Sequence, residues 1–314
     1  MSKSTMKFIG KRLLIAMVTV IIILGILFLM LKLMPGTPFN DEKLTDAQKE
    51  AIYEAYGLNE PVLDQFVIYM KSMLTGDFGT SYGISKNYPV SMLVMPRISI
   101  SFGIGIAAVI LGTIIGFGLG LFAALKRNTI WDSVATIFAV LGVSVPSFVI
   151  GLLLLLIFGV NFSFFPVLFN SSYIIRSSIL PIVALSFGVI ANVARFTRSE
   201  MISVLSSDYI ALAEAKGLDR KTVIRKHAIR NTLIPVITIL GPILVNLMTG
   251  SMVLEQIFSI PGLGSLLVTG ISVNDYNVVL AVSFVYSLLY IVMMLVIDIS
   301  YGIIDPRIRL GKGD

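Results

Sequence analysis

Long stretches of this chain that contain no Asp, Glu, Lys or Arg include 13–31, 98–125, 133–175, 177–194, 231–254 and 276–297. A helix crosses a bilayer with about 20 apolar residues, and it satisfies its own backbone hydrogen bonds where water cannot. Windows of this length therefore dictate membrane-spanning helices rather than a soluble core. The third is too long for one helix. It breaks near Gly159–Asn161 and again at Pro166, which predicts one span over 133–158 followed by an external loop. The fold expected is all-α, a polytopic membrane protein with six transmembrane helices. Composition agrees, with 13% charged residues against about 25% in soluble domains.

Lys and Arg set the orientation. With the N-terminus in the cytoplasm, the inside segments hold Lys3, Lys7, Lys11 and Arg12, then Lys126 and Arg127, the basic residues of 195–230, and Arg307, Arg309 and Lys312. The outside segments hold few, and in 36–97 acids outnumber them. Both termini are thus expected in the cytoplasm. The first apolar run has no small-x-small cleavage site after it and reads as an uncleaved span. The expected organisation is 1–35 as cytoplasmic N-terminus and first span, 36–97 as an external helical segment, and 98–314 as a five-helix core containing the cytoplasmic loop 195–230.

In the external segment, Thr45 and Gln48 have capping-box spacing, with Ile52, Ala55 and Tyr56 as a stripe ending at Gly57. A second helix starts near Asn59–Pro61, places Val62, Phe66, Tyr69, Met70 and Met73 on one face, and stops before Gly76. These fit a small cap packed on the spans, or one that also meets an external partner.

Segment 195–230 is strongly charged, yet Ile202, Leu205, Tyr209, Leu212 and Ala213 are spaced as an apolar stripe. Gly217 interrupts, and Val223, Ile224 and His227 begin another. Two short helices meeting at a glycine are expected beneath the membrane. A solvated basic loop, an interfacial helix on anionic lipid and a docking element for a cytoplasmic protein all fit this pattern.

Several chemistries are missing. No cysteine and one histidine, His227, exclude a disulfide framework or a Cys-based zinc site and argue against a His-based metal site or triad. The absence of G-x-x-x-x-G-K-[ST] leaves no phosphate cradle for ATP. Within the spans there is almost no ionisable group, only Asp298 and Glu255 at their ends, which argues against an ion-coupled secondary transporter. The net charge of +6 is explained by topology, and no nucleic-acid partner is expected. The run Gly112-x3-Gly116-x-Gly118-x-Gly120 admits a second helix at close range. Polar residues of the spans include Ser144, Ser186, Asn192, Thr238, Asn246, Thr249 and Ser251. They satisfy nearby backbone or line a path.

The run Asp208-Tyr209-Ile210-Ala211-Leu212-Ala213-Glu214-Ala215-Lys216-Gly217-Leu218, followed by His227-Ala228-Ile229-Arg230-Asn231 and Leu233-Ile234-Pro235, resembles the cytoplasmic coupling loop of ABC importer permeases. The form is that of the dipeptide/oligopeptide/nickel branch. Pro35-Gly36-Thr37-Pro38, Tyr56-Gly57-Leu58-Asn59-Glu60-Pro61 and Gly76-Asp77-Phe78-Gly79-Thr80-Ser81-Tyr82 are similar to the external region of that branch's B-type subunit. So are Ile257-Phe258-Ser259-Ile260-Pro261-Gly262-Leu263-Gly264 and Asp305-Pro306-Arg307-Ile308-Arg309. Where the wider superfamily often has a glutamate, this chain has Ala211, so no role is carried over to that position.

The resemblance implies a type I ABC importer permease in a bacterial cytoplasmic membrane. It implies a second, C-type permease subunit, two cytoplasmic ATPase subunits that bind ATP and Mg, and an external substrate-binding lipoprotein delivering a peptide. A nickel or metallophore importer of the same branch is the alternative. No cofactor, catalytic residue or metal ligand is expected in this chain.

The coupling residues would be Asp208, Tyr209, Ala213, Ala215, Lys216, Gly217, Leu218, His227, Asn231 and Pro235. Gly217 would supply positive φ or close approach, and Ala213 and Ala215 a low docking surface. Lys216, Arg220 and Lys221 would face acidic ATPase groups, solvent or lipid. Pathway or gate candidates are Ser144, Asn192, Asn246, Thr249, Ser251, Pro261, Gly262 and Gly264, with Pro261–Gly264 a turn between the last two spans.

Overall fold

A computed structural model describes residues 3–33, 59–250 and 252–304, with 45, 47, 50, 53, 54 and 57 between the first two stretches; side chains at 3–9, 11–13, 245, 246, 248–250 and 298–304 are not described. The expected helix over 45–57 and the motifs at 35–38 and 305–309 lie wholly or mostly outside the described residues.

The described chain is helical, with one isolated bridge between Thr80 and Pro89. The helices are α1 (Lys3–Leu33), α2 (Val62–Leu74), α3 (Val90–Leu125), α4 (Ile130–Ser144), α5 (Ser147–Leu154), α6 (Ile174–Leu205), α7 (Asp208–Ala215), α8 (Arg220–Thr222), α9 (Ile229–Gly250), α10 (Met252–Ile257), α11 (Leu263–Ser272) and α12 (Tyr276–Ile304). Five helical stretches are long and apolar enough to cross a membrane: Leu14–Leu33, Val90–Leu125, Ser171–Leu205, Arg220–Leu244 and Tyr276–Ile297.

The sixth expected span is not one straight helix. α4 and the helix beginning at Ser147 meet at 99°. Pro146 has no N–H and forces its predecessor out of the α region, so Val145 sits at φ −87°, ψ 122°. The continuous span expected over 133–158 is therefore broken in its middle. A π-helical turn at Leu155–Asn161 ends its second limb, where the glycine–asparagine break was expected.

The chain forms two compact units. One contains the described residues of Met1–Ile100 with Pro261–Val292, the other those of Ser101–Ile260 with Met293–Arg309. In the first, α1 turns Val20, Leu24, Phe28 and Leu31 inward, one stripe at helical spacing. Phe28 stacks obliquely on Phe66 and Tyr69 of α2, centroids 5.6 and 5.8 Å apart. The face of α2 is Phe66, Tyr69, Met70 and Met73 as expected, while Val62 is exposed. The core is completed by Phe78, Tyr82 and residues 278–282.

Asp275 anchors the loop after α2. It is fully buried, and one carboxylate oxygen accepts from Ser81 Oγ at 2.5 Å and from the backbone N–H groups of Tyr82, Gly83 and Ile84 at 3.1, 2.9 and 3.2 Å. Asn277 donates to the Thr80 carbonyl at 2.8 Å. The Gly76–Tyr82 motif is thus held by residues nearly two hundred positions away. Burying a carboxylate costs several kcal/mol unless its oxygens are bonded, and four donors meet that requirement.

In the second unit, α3 lies against α6 along a seam of small residues. Gly112, Gly116, Gly120 and Ala124 recur every fourth residue. They face Val189, Val193, Thr197 and Met201 or the intervening backbone. An added Cβ would stand 2.7 Å from the Ile190 carbonyl oxygen at Gly116 and 2.5 Å from that of Ala194 at Gly120, whereas Gly118 has nothing within 4 Å. Close approach is thus required at three of the four glycines noted in the sequence.

The coupling bend and a groove beside it

The candidate bend at 208–230 is built at the end of the same seam. α6 ends at Leu205, and Ser206 and Ser207 spend their hydroxyls on Ile202 and Val204 carbonyls, at 2.6 Å each. α7 then starts at Asp208, whose charge suits the positive N-terminal end of a helix. Ile210 and Ala213 are buried with Met201, Ala124, Val223 and Ala228 in one cluster.

This corrects the expected stripe. Ile210 was not in it, while Tyr209 and Leu212, which were, are 43% and 57% exposed. The helix breaks between 205 and 208, so the angular phase restarts and a stripe counted across the break points the wrong way. Ala213 is correspondingly part of the chain's own packing and not of a docking surface, whereas Ala215 is exposed.

After α7 the chain turns at Gly217, φ +83° with nothing within 4 Å of an added Cβ. The bend glycine thus serves backbone conformation, not close approach. Leu218 N–H returns to the Ala213 carbonyl at 3.3 Å. Asp219 caps α8, accepting from Thr222 N–H at 3.1 Å. Hydrogen bonding to the Thr222 side chain and then to backbone amides holds its carboxyl below the usual range.

A π-helical turn over Val223–Ala228 follows and contains His227, half-buried. Asn231, exposed on α9, donates its amide to the Tyr209 hydroxyl at 3.1 Å. Pro235 lies inside α9. Asp208, Tyr209, Ala215, Lys216 and Leu218 are exposed, as are Arg220, Lys221, Arg225, Lys226 and Arg230. The result is a basic surface with Tyr209, Leu212 and Leu218 as apolar points on a rigid, buried base.

The pathway candidates divide. Ser186, Asn192 and Thr238 bond carbonyls of their own helix, at Val183, Gly188 and Pro235, 2.7, 2.8 and 2.5 Å away. Asn192 and Thr238 nevertheless line a groove of about 510 Å³ between α6 and α9, with Arg195, Phe196, Ser199, Ile239, Pro242 and Ile243. Ser144 is exposed at the end of α4 and is not part of it. The side chains of Asn246, Thr249 and Ser251 are outside the described residues. Gly262 does not form an isolated turn; it is the extended N-cap of α11, with Leu263 and Gly264 buried behind it.

Sequence reasoning treated Arg195 and Arg198 alike, as charges of a cytoplasmic loop. α6 continues unbroken through both. Arg198 forms a two-point pair with Asp132, Nε–Oδ1 2.5 Å and Nη2–Oδ2 2.8 Å, and Asp132 also accepts from Asn128 N–H. Arg195 enters the groove. Three residues apart, the two are neighbours on the surface of one helix, so no local pattern separates them; only the packing of Asp132 against Arg198 does. Glu255, noted only as lying at a span end, is buried and accepts from Ser101 Oγ at 2.7 Å.

Helices long and apolar enough to cross a membrane, with a basic bend packed on them, fit a multi-pass membrane protein. The fold matches a structure of the MetNI methionine ABC transporter in inward-facing conformations, TM-score 0.56 at 15% identity, covering 68% of this chain and 97% of that one. The chain belongs to the family of binding-protein-dependent transport system inner membrane components, matched over residues 116–310, with that family's N-terminal membrane component matched over 5–92.

Its relatives include the dipeptide transport system permease protein DppB of Lactococcus lactis, 46% identical over 97% of this chain and 99% of that one. DppB of Bacillus subtilis is 41% identical over 94% and 95%. The oligopeptide transport system permease protein OppB of Salmonella typhimurium is 41% identical over 97% and 99%.

Proposed function

We propose that this chain is one of two permease subunits of an ATP-driven importer of dipeptides or oligopeptides. Its identity of 41–46%, end to end, with permeases named for those substrates carries the reading. The second permease subunit is of the C-type, and a substrate-binding lipoprotein delivers peptide from outside. Two cytoplasmic ATPase subunits bind ATP and Mg and supply the energy, while this chain catalyses nothing. Both termini and 208–230 face the cytoplasm.

The bend 208–230 docks on an ATPase subunit through Tyr209, Leu212 and Leu218, with its basic residues around them. Ile210, Ala213 and Met201 tie the bend to the α3–α6 seam. ATPase closure therefore moves packed helices, not a loose loop, and shifts the permease between inward- and outward-facing states.

The test is twofold. Deleting the gene should abolish uptake of labelled dileucine, and restoring it should recover uptake; unchanged uptake in the deletion strain, with no second peptide importer active, refutes the substrate. Single cysteines replacing Lys49 and Lys221 in this Cys-free chain should label with an impermeant maleimide in whole cells at 49 and not at 221. The reverse pattern refutes the orientation.

A further inference from the structure

The groove between α6 and α9 has a composition that selects a ligand. Asn192, Arg195, Phe196 and Ser199 lie at i, i+3, i+4 and i+7 on α6, one face of that helix. Thr238, Ile239, Pro242 and Ile243 form the opposing face of α9. The volume of about 510 Å³ falls in the range of small-molecule sites, roughly 300–1,000 Å³.

Arg195 is the one charged residue that lines it among the described residues, and it is exposed. Among the described residues it makes no hydrogen bond or ion pair, while Arg198, three positions on, is fully engaged by Asp132. Arg195 thus offers an unpartnered guanidinium on the wall of the groove, whereas the neighbouring Arg198 is held by a carboxylate. No carboxylate lines the groove to attract a cation. An amide and two hydroxyls flank the guanidinium, and four apolar residues complete the walls. The planar guanidinium fork matches a carboxylate at two points, and the apolar walls suit a short aliphatic or aromatic side chain next to it.

We propose that this groove is a permease-side subsite for the free C-terminal carboxylate of the transported peptide, with Arg195 as the binding residue. The inference rests on the peptide-import reading and adds to it where, and by which end, the peptide is held inside the membrane. An anionic lipid offers the same chemistry, a negative headgroup on an apolar tail, and the experiment separates the two.

Ser199→Cys gives this Cys-free chain one thiol inside the groove. The assembled transporter carrying it, in nanodiscs of neutral lipid and without the binding protein, is labelled with a neutral maleimide, and modification is read on this chain by mass. Dileucine at about ten times its Kd should slow labelling about tenfold, since only the unoccupied fraction reacts, and dileucine amide at the same concentration should leave it unchanged. Adding Arg195→Gln should erase the protection by dileucine. Arg195→Lys, which keeps the charge, should retain part of it and decides the matter if the Gln variant does not assemble.

Equal protection by acid and amide, or none by either, overturns the proposal. So does slowing that comes with phosphatidylglycerol in the nanodisc and is indifferent to peptide, which assigns the guanidinium to a headgroup. Uptake of dileucine by the unaltered transporter separates the two levels. If uptake occurs and protection fails, only the subsite falls; if no uptake occurs, the import reading falls and takes the subsite with it.

Discussion

The Asn231 side-chain amide donates to the Tyr209 hydroxyl at 3.1 Å across 22 residues of sequence. The contact joins the two halves of the coupling bend from outside, α7 to α9, while Ile210, Ala213, Val223 and Ala228 join them from within. Between the two, the turn at Gly217 has little freedom left. A surface loop that merely attracted anions would need neither contact.

Gly217→Val should uncouple the transporter without unfolding it. At φ +83° a β-branched residue is strained by about 1–3 kcal/mol, yet no atom lies within 4 Å to clash with it. Membrane insertion should be normal, while peptide uptake and substrate-stimulated ATP hydrolysis in the reconstituted complex fall together. Gly217→Asn, which tolerates positive φ, should retain most of both. Lys221→Gln should matter much less, since an exposed charge contributes under about 1 kcal/mol. A dead Lys221→Gln beside a healthy Gly217→Val would mean that lipid charge, not shape, governs the bend.

Gly116→Ala and Gly118→Ala should have opposite effects on thermal stability. Both gain helix propensity, up to about 1 kcal/mol. At Gly116 the new Cβ meets the Ile190 backbone oxygen at 2.7 Å, which no side-chain rotation relieves, while Gly118 faces open space. Overpacking of this kind costs roughly 1–3 kcal/mol, so only the first variant should melt lower. Equal melting temperatures would show that the seam yields.

Arg198→Ala should destabilise more than Asp132→Asn. Removing the arginine leaves a carboxylate that is only 7% exposed with a single N–H donor from Asn128, and an orphaned buried charge is the costlier remnant. Asp132→Asn leaves a neutral amide and a guanidinium about one third exposed, which water can solvate. Thermal unfolding of the two variants gives the order, and the reverse order would refute the account.

Asp275→Ala should loosen the loop 81–84 selectively. Three backbone donors and the Ser81 hydroxyl lose their shared acceptor, a loss of roughly 2–4 kcal/mol when each orphan is counted and partly rehydrated. Asp275→Asn keeps one acceptor oxygen and should lose less. Limited proteolysis of the detergent-solubilised Ala variant should cut near 81–84 first; a cut in 195–230 instead would place the damage elsewhere.

The sequence by itself determined which stretches are long and apolar enough to enter a membrane, because an uncompensated charge in hydrocarbon is costly. It also determined the glycine at the bend and the small-residue seam, since each follows from one residue type at one spacing. Five of the six expected spans are single long helices among the described residues, and the third is a pair bent by 99°, for which Pro146 was the overlooked signal.

The tertiary structure alone decided which side of each helix does what. Ile210 and Leu212 are equally apolar, yet the restart of the helix after the break at 205–208 buries the first and exposes the second; Arg195 and Arg198 are equally basic, yet only Arg198 meets a carboxylate, that of Asp132. It alone brought Asp275 to Ser81 and Asn231 to Tyr209. Such pairings depend on how separate helices pack, and no local pattern in the chain records that.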